Sequence, residues 1–398
     1  MNLSDVFKNV EESQTLKISA KAKEMIKEGI DVINLAVGEP DFDTPDYIKN
    51  FAKKAIDENK TRYTDASGIV ELREAIAEKL KKENGINAKK ENIVVTNGAK
   101  EAIFLSLFSI LNPDDEVMVI LPYFTSYTEV IKLCRAKPVL IEKNNGKITK
   151  EELENKKTDK TKLIMICSPN NPDGHVIDED EFKAIKDFAI KNNVFILSDE
   201  IYENIIFDDN KNKSFASDEE LFKKGLVITI NGMSKAFSMT GWRVGYVHAR
   251  DEIIKNIKVA KGHISSNTSS ISQYAALEAL KGFRENIEIF ENNTEEFKKR
   301  RDVLVSILKD DKNISLKSPS GSFYAFIDIS KILNRKYKDR TIKSDLDICE
   351  ILLKDFNLSI TPGLAFGDGN FVRLSFAADI KKIEKAANII KEFSEKIV

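Results

Sequence analysis

Cysteine and histidine are scarce, with 3 of each among 398 residues. Cys134, Cys167 and Cys349 are odd in number and far apart, which excludes a disulfide framework and a CxxC metal pair and leaves buried structural thiols. His175, His248 and His263 lack metal-ligand spacing, so satisfied or surface histidines are expected, and no metal. No apolar run approaches the roughly 18 residues of a membrane span. Met1-Asn2-Leu3-Ser4-Asp5 has no basic head followed by an apolar stretch, so no signal peptide is visible and the cytoplasm is the expected location. An excess of one charge is missing as well. Lys and Arg total 62 against 64 Asp and Glu, a net charge of -2, which gives no electrostatic ground for a nucleic-acid or membrane partner. Basic pairs such as Lys81-Lys82 sit among acids and read as solvated helix faces. Neither GxGxxG nor GxxxxGK[ST] occurs, which sets aside dinucleotide and P-loop sites. Repeats and low-complexity linkers are absent.

What remains is an ordinary globular composition, 42% hydrophobic and 32% charged. Its length calls for one large domain and a smaller companion. From about residue 46, short apolar runs alternate with longer amphipathic segments. Thr44-Pro45-Asp46 reads as a helix start, with a capping hydroxyl, proline in the first turn and an acid near the positive end. Ile69, Leu72, Ile76 and Leu80 keep helical spacing, and Gly85 is a plausible stop. Ile93–Thr96, Val117–Leu121, Leu163–Cys167, Val194–Ser198 and Leu226–Ile230 are short and nearly all apolar, as strands buried on both faces are. The expected fold is α/β: a mainly parallel central sheet with helices on both faces, plus a smaller α/β domain. The amphipathic stretch Arg284–Leu308 is taken as a connecting helix. Beyond it, Phe323–Ile329 and Val372–Phe376 read as strands and Ile380–Ile397 as a final helix. The expected division is residues 1–45 packing on the small domain, 46–285 the large domain and 286–398 the small one.

Open parallel sheets bind ligands outside the carboxyl ends of their strands. Here the apolar runs are followed in turn by Asn97-Gly98-Ala99-Lys100, by Pro122-Tyr123-Phe124, by Ser168-Pro169-Asn170-Asn171-Pro172, by Asp199-Glu200-Ile201-Tyr202, and by Asn231-Gly232-Met233-Ser234-Lys235. Singly, each has an ordinary reading: a helix cap, a turn, a core aromatic, a surface lysine. Jointly they match the demands of pyridoxal phosphate. That cofactor needs a lysine amine for its aldehyde, a carboxylate at the pyridine nitrogen, partners for the phenolic oxygen, a flat apolar face, and donors for the phosphate. Lys235 suits the first and can also move the proton. Asp199 suits the ring nitrogen. Asn171 and Tyr202 suit the phenolic oxygen, and Phe124 suits stacking. Gly98, Ala99 and Lys100 suit the phosphate through backbone N–H groups.

The run Gly232-Met233-Ser234-Lys235-Ala236-Phe237-Ser238-Met239-Thr240-Gly241-Trp242-Arg243-Val244-Gly245 resembles the lysine-site motif of class I pyridoxal-phosphate-dependent aminotransferases. Leu35-Ala36-Val37-Gly38-Glu39-Pro40-Asp41-Phe42-Asp43-Thr44-Pro45 resembles the family's N-terminal motif. Ser168–Gly174, Ser198–Tyr202, Pro319–Tyr324 and Val372–Phe376 resemble further family blocks in the expected order, so the likeness runs from about Thr15 to the final helix. It implies the PLP-dependent transferase fold (fold type I) and a ping-pong exchange of an amino group between an amino acid and a 2-oxo acid. It also implies roles that composition cannot give. Arg243 would bind the phosphate, Arg373 would grip the substrate's α-carboxylate as a planar fork, and Gly38 would offer it a backbone N–H. Phe124 and Asn171 would also face the substrate. Tyr63 would reach the phosphate of the neighbouring subunit, implying a homodimer.

Three positions depart from the family pattern. Asp173 stands where threonine is usual, Phe124 where tryptophan is common, and Gly232 where some members place serine for the phosphate, a loss for which Ser234 is the candidate replacement. The segment His263–Leu280 is most like the bacterial aspartate aminotransferase branch, which suggests aspartate and 2-oxoglutarate as substrates. Aromatic amino acids, alanine and prephenate are compatible with the same core, as is a carbon–sulfur lyase on the same fold. A transcription regulator with an aminotransferase-like domain would need a DNA-binding module for which Gly38 comes too early.

Overall fold

The computed structural model describes residues 4–8, 10 and 14–398. Residues 1–3, 9 and 11–13 of the expected N-terminal segment lie outside the described residues. The centre is a seven-stranded sheet. Its strands are β1 (Ile93–Thr96), β2 (Glu116–Ile120), β3 (Lys137–Ile141), β4 (Thr161–Cys167), β5 (Phe195–Asp199), β6 (Val227–Gly232) and β7 (Gly245–His248). The order is β1-β7-β6-β5-β4-β2-β3. Only β7 runs antiparallel to its neighbours; the other pairs are parallel.

Alternate residues of each strand feed separate cores on the two faces. Val117, Val119, Leu163, Met165, Leu197, Ile228 and Val247 belong to one. Met118, Ile120, Ile164, Ile166, Ile196, Val227 and Tyr246 belong to the other. That two-sided burial is why these strands read as continuous apolar runs. The sheet register pairs Cys167 with Asp199, Asp199 with Ile230, and Gly232 with Gly245, which also faces Thr96. The carboxyl ends of β1, β4, β5 and β6 therefore share one edge.

A second, four-stranded antiparallel sheet is ordered β10-β11-β9-β8. Its strands are β8 (Ser315–Leu316), β9 (Tyr324–Asp328), β10 (Thr361–Pro362) and β11 (Phe371–Ser375). The 22-residue helix Ile287–Leu308 precedes it, and the helix Ile380–Glu395 follows. Near the other terminus, Ile33-Asn34 pairs in parallel with Leu358-Ser359.

Helix boundaries corrected one expectation. Thr44 does not cap the helix Asp46–Asp57; its N-cap is Pro45, without a side-chain cap. The Thr44 hydroxyl instead donates to the Ser238 carbonyl at 2.6 Å and accepts the Trp242 indole N–H at 3.1 Å. A tertiary tie to the loop beyond Lys235 outcompetes the local cap. Helix Val70–Glu83 does stop where a glycine permits: Gly85 sits at φ +69°, and the Ile86 N–H closes back on Leu80 at 3.0 Å.

Candidate active site

A cavity of about 530 Å³ opens at the carboxyl edge of the central sheet, within the size range of small-molecule sites. Each of β1, β4, β5 and β6 delivers side chains to it from the turn that follows, which is the local consequence of the shared edge. Asp199 ends β5 and is 4% exposed. One of its carboxylate oxygens accepts the Tyr127 hydroxyl at 2.7 Å, the other the Ile201 N–H at 3.3 Å. Burial pushes this carboxyl up to about 6, against the hydrogen bonds and the Lys235 charge.

Lys235 follows β6 by three residues and is half-buried, with Nζ donating to the Gly38 carbonyl at 2.7 Å. Desolvation, with help from the charges of Arg373 and Arg243, lowers its amine to about 8; Glu39 and Asp199 oppose this. Tyr202 and Tyr324 join hydroxyl to hydroxyl at 2.9 Å, their rings edge to face. Asn171 is 3% exposed and its side-chain oxygen accepts from Arg373 at 3.2 Å.

Arg373 lies on β11, 3% exposed, stacked 4.5 Å from the Tyr324 ring centre and 4.7 Å from that of Phe366. It donates to the Ala36 carbonyl at 2.5 Å, yet its Nε is buried with no partner. A buried donor left open calls for an acceptor.

The phosphate side is built from the start of helix Ala99–Ile110. Gly98 caps it at φ +82°, and a β-carbon there would strike the Arg243 guanidinium, 2.8 Å from Cζ. Only glycine allows the arginine this close to the helix start. Arg243 itself sits at φ +55°, in the left-handed region, and donates to Thr240 and Asn97 carbonyls. Ser234, Phe124, Ala99 and Lys100 complete the lining expected from sequence, with Lys100 exposed and its amine 5.4 Å from the Phe124 ring centre.

Lys235, Asp199, Tyr202, Ala99, Lys100, Phe124, Asn171, Ser234, Arg243, Gly38 and Arg373 thus all face one cavity. Gly98 is not in the lining, and Tyr63 is 91% exposed and apart from it. Sequence reasoning missed Tyr127, whose buried phenol serves Asp199, together with Tyr324, Glu39 and Thr240. Tyr127 stands in the next helix with no local signal of its role, since its partner Asp199 is 72 positions away.

A site with this arrangement defines a family. Residues 30–390 match the family described as aminotransferase class I and II, and the chain belongs to it. It is 40% identical to the probable aspartate/prephenate aminotransferase of Aquifex aeolicus over 99% of both chains. The crystal structure of the aspartate aminotransferase from Rhizobium meliloti superposes with a TM-score of 0.94 at 35% identity, covering all of both chains. The structure of Thermus thermophilus aspartate aminotransferase with maleate gives 0.91 at 33% identity, covering 99% of this chain and all of the other.

Proposed function

We propose that this aminotransferase works with pyridoxal 5′-phosphate and exchanges the amino groups of aspartate and 2-oxoglutarate. The observation that carries the reading is the convergence of Lys235, the buried Asp199 and the buried Arg373 on one cavity. The residues fit the cofactor on their own terms. A cationic ring nitrogen beside Asp199 would offset the burial that now pushes the carboxyl up. The helix start at Ala99, with Arg243 against Gly98, is suited to a phosphate.

When bound, the cofactor supplies an aldehyde and an electron-withdrawing ring. Asp199, held by Tyr127, keeps a proton on the ring nitrogen. Asn171 and Tyr202 hold the phenolic oxygen, Phe124 covers a ring face, and Ser234 and Arg243 hold the phosphate. Lys235 is the base that moves the proton at the substrate's α-carbon, and its lowered amine suits that work near neutral pH. Arg373 fixes the α-carboxylate, with Gly38 beside it. Of the cations lining the cavity, Lys100 is the one left for a side-chain carboxylate. The maleate that accompanies the Thermus enzyme is itself a dicarboxylate.

This reading includes a large cofactor-holding domain at 46–285, a small domain at 286–398 joined by residues 1–45, a homodimer with Tyr63 crossing between subunits, and a cytoplasmic location. No helix among the described residues is long and apolar enough to cross a membrane.

Half-reactions of the cofactor-loaded enzyme with aspartate, alanine, phenylalanine and prephenate's amino counterpart test the substrate. Aspartate should give the highest kcat/KM. A preference above about 10-fold, roughly 1.4 kcal/mol, for a non-acidic donor overturns aspartate and leaves the aminotransferase intact.

A further inference from the structure

The turn after β5 faces two ways. Asp199 and Tyr202 look into the cavity, while Glu200 and Glu203, one residue later in each case, look away from it. Behind the turn lies a buried polar cluster that no step above uses. Glu203 pairs with Lys79 of helix Val70–Glu83, their side chains 10% and 9% exposed. The Asn231 side-chain amide donates to Glu203 at 2.6 Å, and its oxygen accepts the Gly232 N–H at 2.7 Å. Asn84 donates to Glu203 as well. Glu200 is 1% exposed and accepts hydroxyls from Ser198 at 3.0 Å and Ser214 at 2.7 Å. Burial and the neighbouring Glu203 push its carboxyl up, while Lys79 pairs with Glu203 and lies 4.0 Å from Glu83.

Asn231 and Gly232 are the strand end that leads into Ser234 and Lys235. That end has no slack on its other side, since a β-carbon at Gly232 would lie 2.8 Å from the Val244 carbonyl oxygen and 2.9 Å from Gly245 Cα. This is also why a serine cannot occupy the position here.

We propose that Glu203 is a positioning residue for Lys235: through Asn231 and Lys79 it clamps the turn carrying Asp199 and Tyr202 to the strand end carrying the lysine, and so fixes the lysine nitrogen relative to the Asp199 carboxylate. The proposal rests on the cofactor reading above. A clamp of this kind is costly to break at one member, because the mostly buried Lys79 then keeps only the longer Glu83 contact and a neutral amide. It is also the only tie of side-chain charge that joins helix Val70–Glu83, the β5 turn and the end of β6 among the described residues.

The test uses reconstituted holoenzyme and three variants. Glu203→Gln leaves Lys79 with the Asn84 side-chain oxygen at 2.7 Å and Glu83 at 4.0 Å. Lys79→Met with Glu203→Gln removes both charges, so that folding is retained. Glu203→Gln with Asn231→Asp moves the carboxylate to the other end of the same hydrogen bond. The readouts are the pH midpoint of the visible lysine–cofactor band, kcat and KM for aspartate, and Tm. The groups facing Lys235, namely Glu39, Asp199, Arg243, Arg373 and Tyr202, are untouched in all three.

The doubly neutral variant should displace the midpoint by about 0.5 pH unit or more and lower kcat by about 10-fold, with KM changed much less. The swapped variant should bring both back toward wild type. A midpoint and kcat that stay at wild-type values while Tm falls would show a strut with no hold on the lysine and overturn the proposal. Wild-type protein that forms no such band, or carries the borohydride-fixed cofactor on another lysine, would instead sink the cofactor reading.

Discussion

At Lys235 the surroundings pull both ways, and the balance is measurable. Desolvation and the nearby arginines push the amine down to about 8, while the Glu39 carboxylate pulls it up. Only the neutral amine attacks an aldehyde, so its reactive fraction grows as pH rises through the folded value. Cofactor capture by apoprotein should therefore accelerate through about pH 8, far below the ordinary lysine range. Glu39→Gln removes the raising influence and should move that midpoint lower. Stopped-flow growth of the visible band gives both profiles, and Lys235→Ala is the blank. An unshifted or raised midpoint in Glu39→Gln would contradict this account. Residues such as Lys235 and Asp199 were legible because each lies in the short segment that follows an apolar run, and the sheet does the rest. Tyr127 was not, because its value lies in a buried phenol meeting Asp199 across 72 positions of sequence. Nothing local marks such a contact.

Elements were legible where their apolar runs are continuous. All five runs assigned as strands in the central sheet are strands, with ends differing by no more than two residues. The two that were overlooked lack a continuous apolar run. β3 (Lys137–Ile141) is an edge strand carrying Lys137 and Pro138, half-exposed along much of its length. β7 is buried throughout but runs from Gly245 to His248, so only Tyr246-Val247 stand as an apolar pair within it. The turn after β4 shows how an unusual residue is absorbed. Asp173, standing where the family commonly has threonine, accepts from the Asn170 amide at 2.8 Å, the His175 N–H at 3.1 Å and Lys143 at 3.1 Å. Burial alone would raise its carboxyl, but Lys143, His175 and these hydrogen bonds hold it below the ordinary value. Lys143 reaches in from the segment after β3, so the pair straps that segment to the Asn170-Asn171 turn. Asp173→Thr leaves a mostly buried ammonium without its carboxylate and should destabilise the protein by about 1–3 kcal/mol. Adding Lys143→Leu should recover part of that loss. Denaturant unfolding of the two variants checks it, and equal stabilities for both and for wild type would dismiss the strap.

The whole molecule closes its site with parts far apart in sequence. Residues 36–44 lie across it: the Ala36 carbonyl receives Arg373, the Gly38 carbonyl receives Lys235, Glu39 bonds Thr240, and Thr44 ties to Ser238. Tyr63 is the exception, a tyrosine 91% exposed and outside the lining of its own chain's cavity. An aromatic that open gains little where it stands, and a second subunit would give it a place. If it serves the neighbour, then in a mixed dimer of Lys235→Ala and Tyr63→Ala chains the site with an intact lysine also receives an intact tyrosine. Its companion site loses both. Unfolding the two variants together and refolding them should give dimers in which one site binds cofactor with wild-type affinity, although neither parent has such a site. Titration of the refolded mixture should then show a tight-binding class absent from the unmixed variants. If Tyr63 acts only within its own chain, or not at all, the mixture will titrate as the sum of its parents, and the shared-site arrangement fails with it.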